Sequence, residues 1–202
     1  MAPKQINIII YSLYHHIAKM AESVKAGIES TGNNATIYQV KETLPDELLK
    51  KLGSPGKLPY KISDLNTLTN CDGLMIGIPT RFGNMPAQLK AYFDSTGSLW
   101  ANGSLKNKPF GLFVSTGTGG GNEMTAVNAL STFVHNSMIY VPLGYASAFP
   151  QLSNINEVHG GSAWGAGTLA GPDGKREPTP LELEIAKIQG KEFALVTEKL
   201  AN

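Results

Sequence analysis

Short apolar runs recur along the chain and are separated by longer, more polar stretches. Residues 6–11 are β-branched and almost continuously apolar, which is typical of a parallel strand buried on both faces. Four further runs have this character: 36–40, 73–78, 110–114 and 138–141. The pattern therefore predicts five strands.

Helical periodicity occupies the stretches between these runs. Apolar side chains recur at steps of three and four residues in two places: at Ile17, Ala21, Val24 and Ile28, and at Met124, Val127, Leu130 and Val134. Pro86 stands where a helix begins, and a capping box, Thr179 to Glu182, starts the last helix. A short helix is also predicted around residues 46–52.

Strands that alternate with helices indicate an α/β fold, here a doubly wound five-stranded parallel sheet with helices on both faces. Residues 1–202 contain no linker-like segment, so one domain is expected. Two long connections, about 41–70 and 151–178, are predicted as insertions into it.

Composition narrows the range of functions. The 17 basic and 16 acidic side chains give a net charge of +1, which argues against nucleic acid as a partner. The single cysteine excludes an internal disulfide and fits a reducing compartment. Because the N-terminus has no signal-peptide pattern, a cytoplasmic location is expected, with peripheral attachment at the inner face of the plasma membrane left open. The histidines are not spaced as metal ligands, so no metal site is predicted.

Three unusual loops each follow a predicted strand. Residues 12–17 offer hydroxyls and backbone N–H groups at a helix start, which suits an anion, although a plain capped turn has the same features. Residues 79–86 combine an arginine, an aromatic and an amide, as the edge and face of a planar heterocycle require. Residues 115–122 contain four glycines that allow close approach of a ligand to the backbone. Ligands of doubly wound sheets bind beyond the carboxyl ends of strands, so the three loops are expected at one rim.

These motifs carry a family resemblance. The segments YSLYHHI (11–17), GIPTRFGNMPAQLKAYFDSTGSLWANGSL (77–105), STGTGGGNE (115–123) and VPLGY (141–145), with the glycine-rich stretch 160–190, resemble the WrbA-type NAD(P)H:quinone oxidoreductases and their fungal flavodoxin-like relatives. The resemblance implies a flavodoxin-like fold, one FMN per subunit and a homotetramer built as a dimer of dimers. It implies two-electron, ping-pong reduction of quinones to hydroquinones by NAD(P)H, with an antioxidant role.

The resemblance also implies residue roles. The expected FMN contacts are Ser12, Leu13, Tyr14, His15, His16 and Ile17 around the phosphate, Pro79, Thr80, Arg81, Phe82, Gly83 and Asn84 along the ring, and Ser115, Thr116, Gly117, Thr118, Gly119 and Gly120 at the ribityl chain and ring edge. Arg81 and His135 are the expected catalytic residues. Arg81 would stabilise the reduced ring, and His135 would reach the flavin from a neighbouring subunit. Trp100 would form a wall of the quinone pocket, and Tyr14 would touch the nicotinamide.

Two positions depart from the family pattern. Families of this type usually have Gly where His15 stands, and a bulky residue is disfavoured if that turn needs a positive φ. A His-His pair of the family is His135-Asn136 in this chain. Two alternatives therefore stay open at this point: an electron-carrier flavodoxin, and a non-catalytic scaffold with weakened FMN binding.

Overall fold

The computed structural model describes residues 2–200. The strands are β1 (Gln5–Ile10), β2 (Asn34–Gln39), β3 (Lys61–Ile62), β4 (Gly73–Pro79), β5 (Pro109–Thr116), β6 (Ile139–Tyr140) and β7 (Gly167–Leu169). The helices are α1 (His16–Glu29), α2 (Asp46–Lys51), α3 (Leu65–Thr69), α4 (Ala87–Asp94), α5 (Gly97–Ala101), α6 (Asn122–His135), α7 (Phe149–Leu152) and α8 (Pro180–Leu200).

All seven strands of this part of the chain run parallel in one sheet, in the order β3-β2-β1-β4-β5-β6, with β7 also paired to β5. The chain moves outward from β1 to β2 and then returns to place β4 on the other side of β1. This reversal is the switch point at which doubly wound sheets bind ligands. The predicted fold is confirmed.

The strand count of five was wrong. One extra strand is β3, a two-residue edge strand that pairs with β2. The other arises because the fifth position is divided: β6 pairs with the start of β5, and β7 pairs with its end. The predicted strand 138–141 is only the first half of that position, and the chain between the halves leaves the sheet and returns.

The side chains of the buried strands point alternately to the two faces of the sheet and pack into two hydrophobic cores, one on each face. Ile6, Ile8 and Ile10 of β1 pack with α1 and α8 on one face. Ile9 packs on the other face with residues of α4 and α6. A sheet that is covered on both faces must be apolar on both, which is why the strands read as continuous apolar runs.

The predicted helix after β5 is present as α6, and its buried face coincides only in part with the predicted apolar stripe. The sheet-facing residues of α6 are Thr125, Ala126, Ala129 and Phe133. Met124 and Val134, from the predicted stripe, are 54% and 58% exposed. Small alanines let the helix approach the sheet while Phe133 fills the core, and of the predicted stripe Leu130 packs against the edge of this core.

The predicted capping box of the last helix is confirmed. The Thr179 N–H donates to the Glu182 carboxylate at 2.9 Å, and the Glu182 N–H donates to Thr179 Oγ1 at 3.3 Å. Within residues 2–200, no helix combines the length and apolar character that crossing a membrane requires.

Candidate functional site

A cleft opens at the carboxyl ends of β1, β4 and β5, at the switch point of the sheet. Its cavity volume is about 170 Å³. The structure brings all three loops singled out in the sequence to this cleft. From those loops, the lining residues are Ser12, Leu13, Tyr14, His16, Ile17, Pro79, Thr80, Arg81, Ser115, Thr116 and Gly117.

The N-terminus of α1 supplies open backbone donors to the cleft. Among residues 2–200, no acceptor hydrogen-bonds the backbone N–H groups of residues 14–17. The Ser12 hydroxyl accepts from the Ala18 N–H at 3.2 Å, which leaves its own proton free to donate. The first helical turn, residues 16–19, carries no acidic side chain. These donors and the positive end of the helix dipole form an anion site.

His15 adopts the left-handed conformation that makes this turn possible. Its φ is 68°. The turn at this position therefore does require a positive φ, the conformation in which glycine is favoured over a bulky residue. The His15 ring lies outside the cleft lining, with Nε2 3.1 Å from the Gly56 carbonyl oxygen. The neighbouring His16 is buried, and its Nε2 donates to the Arg176 carbonyl at 2.9 Å.

The second loop is a tight turn closed by two backbone hydrogen bonds between Arg81 and Asn84, at 2.8 and 3.0 Å. Its central residues, Phe82 and Gly83, both have positive φ, at 54° and 74°. Thr80 braces the turn from below, since its hydroxyl lies 2.6 Å from that of Thr125 and accepts from the Gly83 N–H. The Arg81 guanidinium donates to the Thr80 carbonyl and stays exposed at the cleft edge.

The third loop contributes its first three residues to the cleft. Ser115 and Thr116 are buried at the end of β5, and Gly117 is exposed at the mouth. Thr116 Oγ1 accepts from the Gly119 N–H at 3.0 Å, which folds the rest of the glycine-rich loop away from the lining.

Sequence reasoning missed a fourth wall, formed by Ala170, Gly171 and Gly174 of the second insertion. The Ala170 and Gly171 N–H groups donate to the Thr116 and Gly117 carbonyls, both at 2.8 Å, so this wall is fastened to the third loop. The glycine-rich stretch 160–174 carried the resemblance, but it follows no continuous strand run. The signal that could have placed it was Gly167-Thr168-Leu169, the second half of the divided strand.

Several predicted site residues lie outside the cleft lining. They are His15, Phe82, Gly83, Asn84, Trp100, Thr118, Gly119, Gly120 and His135. Trp100 is 63% exposed on α5. The N-terminus of α6 lies against Thr80 and Gly83, beside the cleft. His135 is exposed at the opposite end of this helix, and its 14 residues span about 21 Å. His135 therefore cannot reach the cleft of its own chain.

Comparison with known proteins identifies the family. The model of the NADPH-dependent FMN reductase family matches residues 13–151, which include the second and third loops and all of the first except Ser12. The chain belongs to this family. Family relatives extend the match to nearly the whole chain. A Candida albicans protein named NAD(P)H quinone oxidoreductase PST3 is 62% identical over 96% of this chain and 97% of its own length. Protoplast secreted protein 2 of Saccharomyces cerevisiae is 57% identical over 94% and 96%.

A comparison with solved structures supports the fold of this chain independently of the sequence matches. The flavodoxin described as a WrbA-like protein from Agrobacterium tumefaciens superposes with a TM-score of 0.69 at 20% identity, covering 97% of this chain and 98% of that one. The flavodoxin-like architecture is thus shared at low sequence identity.

Proposed function

We propose that this protein is an FMN-dependent NAD(P)H:quinone oxidoreductase. The observation that carries the proposal is the cleft at the switch point, where open backbone donors, an arginine and small hydroxyl residues converge. The family match and the names of relatives at 50–62% identity support the same reaction class.

The donor set fits the FMN phosphate. The N–H groups of residues 14–17 and the Ser12 hydroxyl are neutral donors at a helix N-terminus, which is the chemistry that a phosphate dianion takes. The positive φ of His15 is a conformation that backbone anion sites use to direct successive N–H groups at one ligand.

The remaining walls fit the ribityl chain and the flavin ring. Ser115 and Thr116 offer hydroxyls along the floor, Ala170 and Gly171 form the facing wall, and Pro79 and Thr80 line the side where the ring would lie. When bound, FMN supplies the two-electron redox chemistry. The Arg81 guanidinium stands at the cleft edge and would stabilise negative charge that develops on the ring edge during reduction. Tyr14, 42% exposed at the mouth, would orient the nicotinamide.

We propose that the quinone pocket is completed in a homotetramer. His135 and Trp100 lie outside the cleft of their own chain, so a neighbouring copy would have to supply them. The outward face of α6, with Met124 and Val134, offers apolar surface beside His135 for such a contact. Sedimentation of wild-type protein and of Val134→Lys tests this. We expect the variant to sediment as a smaller species, and a monomeric wild type would overturn the proposal.

The reaction itself is tested with FMN-saturated protein, NAD(P)H and a small benzoquinone. We expect one quinone reduced per NAD(P)H oxidised. Protein that binds no FMN would refute the enzyme assignment in favour of a scaffold, and FMN that NAD(P)H does not reduce would favour an electron carrier.

The phosphate site is tested by a matched pair on α1. Ser12→Ala should weaken FMN binding roughly tenfold, the size expected when one hydrogen bond to a charged group is lost. Ser30→Ala removes a hydroxyl at the opposite end of the helix, where it donates to the Gly27 carbonyl, and should leave FMN affinity unchanged. Equal affinities for the two variants would place the phosphate elsewhere.

A further inference from the structure

Two of the residues that line the cleft, His16 and Arg81, have side chains that can hold a positive charge. Arg81 is exposed on the second loop, on the side where the flavin ring would lie. His16 is the first residue of α1, beside the open N–H groups, and only 6% of its surface is exposed. Its imidazole is therefore the group at this helix N-terminus that could give an anion a buried cation.

One hydrogen bond determines which nitrogen of the His16 ring carries a proton. Nε2 lies 2.9 Å from the Arg176 carbonyl oxygen, which can only accept, so Nε2 carries a hydrogen. Nδ1 has no hydrogen-bond partner among residues 2–200 and is not sealed in the interior, so it keeps contact with solvent. Because His16 lines the cleft, this solvent is the water of the cleft.

The state of Nδ1 decides how the ring meets an anion in the cleft. A neutral ring with a hydrogen on Nε2 presents the lone pair of Nδ1, which repels a phosphate oxygen. A protonated ring presents an N–H group and a positive charge instead, and imidazole changes between these two states near neutral pH. The hydrogen bond to the Arg176 carbonyl is kept in both states, so protonation needs no movement of the ring.

The charged groups around the His16 ring are paired with one another. Three ion pairs lie on the first turn of α1, in the second insertion and at the start of α8: Lys19–Glu177, Asp173–Lys175 and Arg176–Glu182. Glu177 faces the ring: after the hydrogen bond from Lys19, an electrostatic interaction with His16 also holds the pKa of Glu177 below its ordinary value. The remaining titratable side chains of the rim are Tyr14, His15 and Arg81. The three pairs add no net charge, so they supply no counter-ion to a phosphate.

A phosphate monoester is a dianion above neutral pH, because its second pKa is about 6. The backbone N–H groups and the Ser12 hydroxyl are neutral donors and offset none of that net charge. A nearby opposite charge favours the charged form of a titratable group. We propose that His16 takes up a proton at Nδ1 when the cleft binds the FMN phosphate, so that its imidazolium is the counter-ion of the phosphate. This inference rests on the proposed FMN-dependent function.

The first test is the dissociation constant of FMN between about pH 7 and about pH 8.5, where the free phosphate is already a dianion. Uptake of one proton raises Kd by up to about tenfold for each pH unit. We expect a rise of at least about threefold per pH unit in wild type and almost none in His16→Gln. The Gln amide can still donate to the Arg176 carbonyl but takes up no proton. Riboflavin, which has no phosphate, should bind wild type without this pH dependence.

His159→Gln is the matched control. His159 is a partly buried imidazole of the second insertion that lies outside the cleft lining, and its Nδ1 is sealed in without a partner. The variant loses an imidazole away from the phosphate site and should keep the full pH dependence of FMN binding.

Two further readouts count the proton and locate it. Calorimetric titration with FMN in buffers of different ionisation enthalpy should show net proton uptake in wild type and in His159→Gln, and none in His16→Gln. The ¹⁵N NMR signal of His16 Nδ1 in wild type should change from that of a neutral imidazole to that of an imidazolium when FMN binds. This last measurement needs no variant, so it decides the question even if His16→Gln does not fold.

FMN affinity that does not depend on pH, without proton uptake, would overturn the inference and leave the proposed function intact. Equal pH dependence in wild type and His16→Gln would also overturn it, because another group would then take the proton. The same holds if riboflavin shows the same pH dependence, or if the His16 ring stays neutral in the complex. Protein that binds no FMN at any pH would refute both the inference and the proposed function. Proton-linked FMN binding without quinone reduction would support the inference and refute the function.

Discussion

The two sides of the cleft are built on opposite principles. The donor rim, residues 12–17 and 79–84, has N–H groups without acceptors among residues 2–200, positive φ at His15 and Phe82, and an exposed Arg81. The anchored wall, residues 158–179, is held by a buried carboxylate and by backbone bonds to the third loop. Open donors suit a ligand but add nothing to stability without one, so the fold must be stabilised elsewhere.

Glu182 is the centre of the anchored wall. It is fully buried, and Arg176 Nη1 donates to both carboxylate oxygens at 3.1 and 3.0 Å. The carboxylate also accepts from the backbone N–H groups of residues 160, 169 and 179 and from the Thr168 hydroxyl. Arg176 Nη2 extends the network to the Val158 carbonyl. A single side chain thus ties both ends of the insertion to α8.

The wall also lies unusually close to the sheet. A Cβ added to Gly165 would stand 2.0 Å from the Leu112 carbonyl oxygen. The Gln189 side chain of α8 bridges the same contact, since it donates to the Leu112 carbonyl and accepts from the Ala166 N–H. The donor rim has no comparable crosslink to α8 among the residues described.

Removing the charge of Glu182 should cause the largest effect. Glu182→Gln replaces a carboxylate, which only accepts hydrogen bonds, with an amide whose NH₂ would face the N–H and O–H groups that now donate to Glu182. It also leaves the Arg176 guanidinium without its anionic partner. We expect the free energy of unfolding in urea to fall by about 3–5 kcal/mol. Glu184→Gln, exposed two residues along the same helix, should change it by less than about 0.5 kcal/mol. Similar stabilities for the two variants would show that the wall is not anchored through Glu182.

Removing the charge of Arg81 should affect the reaction more than the fold. Arg81→Gln deletes the cation at the cleft edge, where negative charge would develop. We expect kcat/KM for NAD(P)H to fall about 100-fold and the midpoint potential of bound FMN to fall with it. Unfolding free energy should stay close to wild type because the side chain is exposed. Lys90→Gln removes an exposed cation of α4 that pairs with Asp94 and should leave both the rate and the potential unchanged. A potential unchanged in Arg81→Gln would contradict the assigned role.

The same contrast explains what could be predicted from the sequence. The donor rim could be predicted because its signals lie in neighbouring residues. Apolar runs show where β1, β4 and β5 end, and His15 stands where the family resemblance places a glycine, which indicates a turn with positive φ. The anchored wall is not local. Strands of two and three residues carry too little pattern to be recognised, and β7 is placed by its pairing with β5, which lies far earlier in the chain. The apolar stripe of α6 did not single out its buried face, because small residues such as Ala126 and Ala129 are the ones that can lie closest to the sheet.

Relieving the left-handed turn should have a smaller effect. His15→Gly removes a Cβ at a φ of 68°, partly offset by greater freedom of the unfolded chain. We expect a gain of up to about 1 kcal/mol in unfolding free energy and about threefold tighter FMN binding, because the turn need no longer be held against its preference.

Ser137→Gly is the matched control for this prediction. Ser137 has a φ of 58° in the turn after α6, outside the cleft lining. The substitution should raise stability similarly without changing FMN affinity. Unchanged or weaker FMN binding in His15→Gly would mean that backbone strain at this turn does not reduce the affinity for the FMN phosphate.

The smallest effect is expected where the two sides meet at the surface. Lys19 of α1 donates to Glu177 of the anchored wall, and both side chains are at least half exposed. The hydrogen bond from Lys19, partly opposed by desolvation, holds the pKa of Glu177 below its ordinary value. A lowered folded-state pKa stabilises the protein above the unfolded pKa, and this contribution is lost as the pH falls through the folded value.

Glu177→Gln should therefore reduce stability slightly at neutral pH and not at all in acid below the lowered pKa. Lys19→Gln should do the same, and the double variant should match either single one. Urea midpoints measured between neutral and acidic pH check this. Additive losses would mean that each side chain acts through other contacts, and the donor rim and the anchored wall would then be linked mainly by the buried hydrogen bond from His16 to the Arg176 carbonyl.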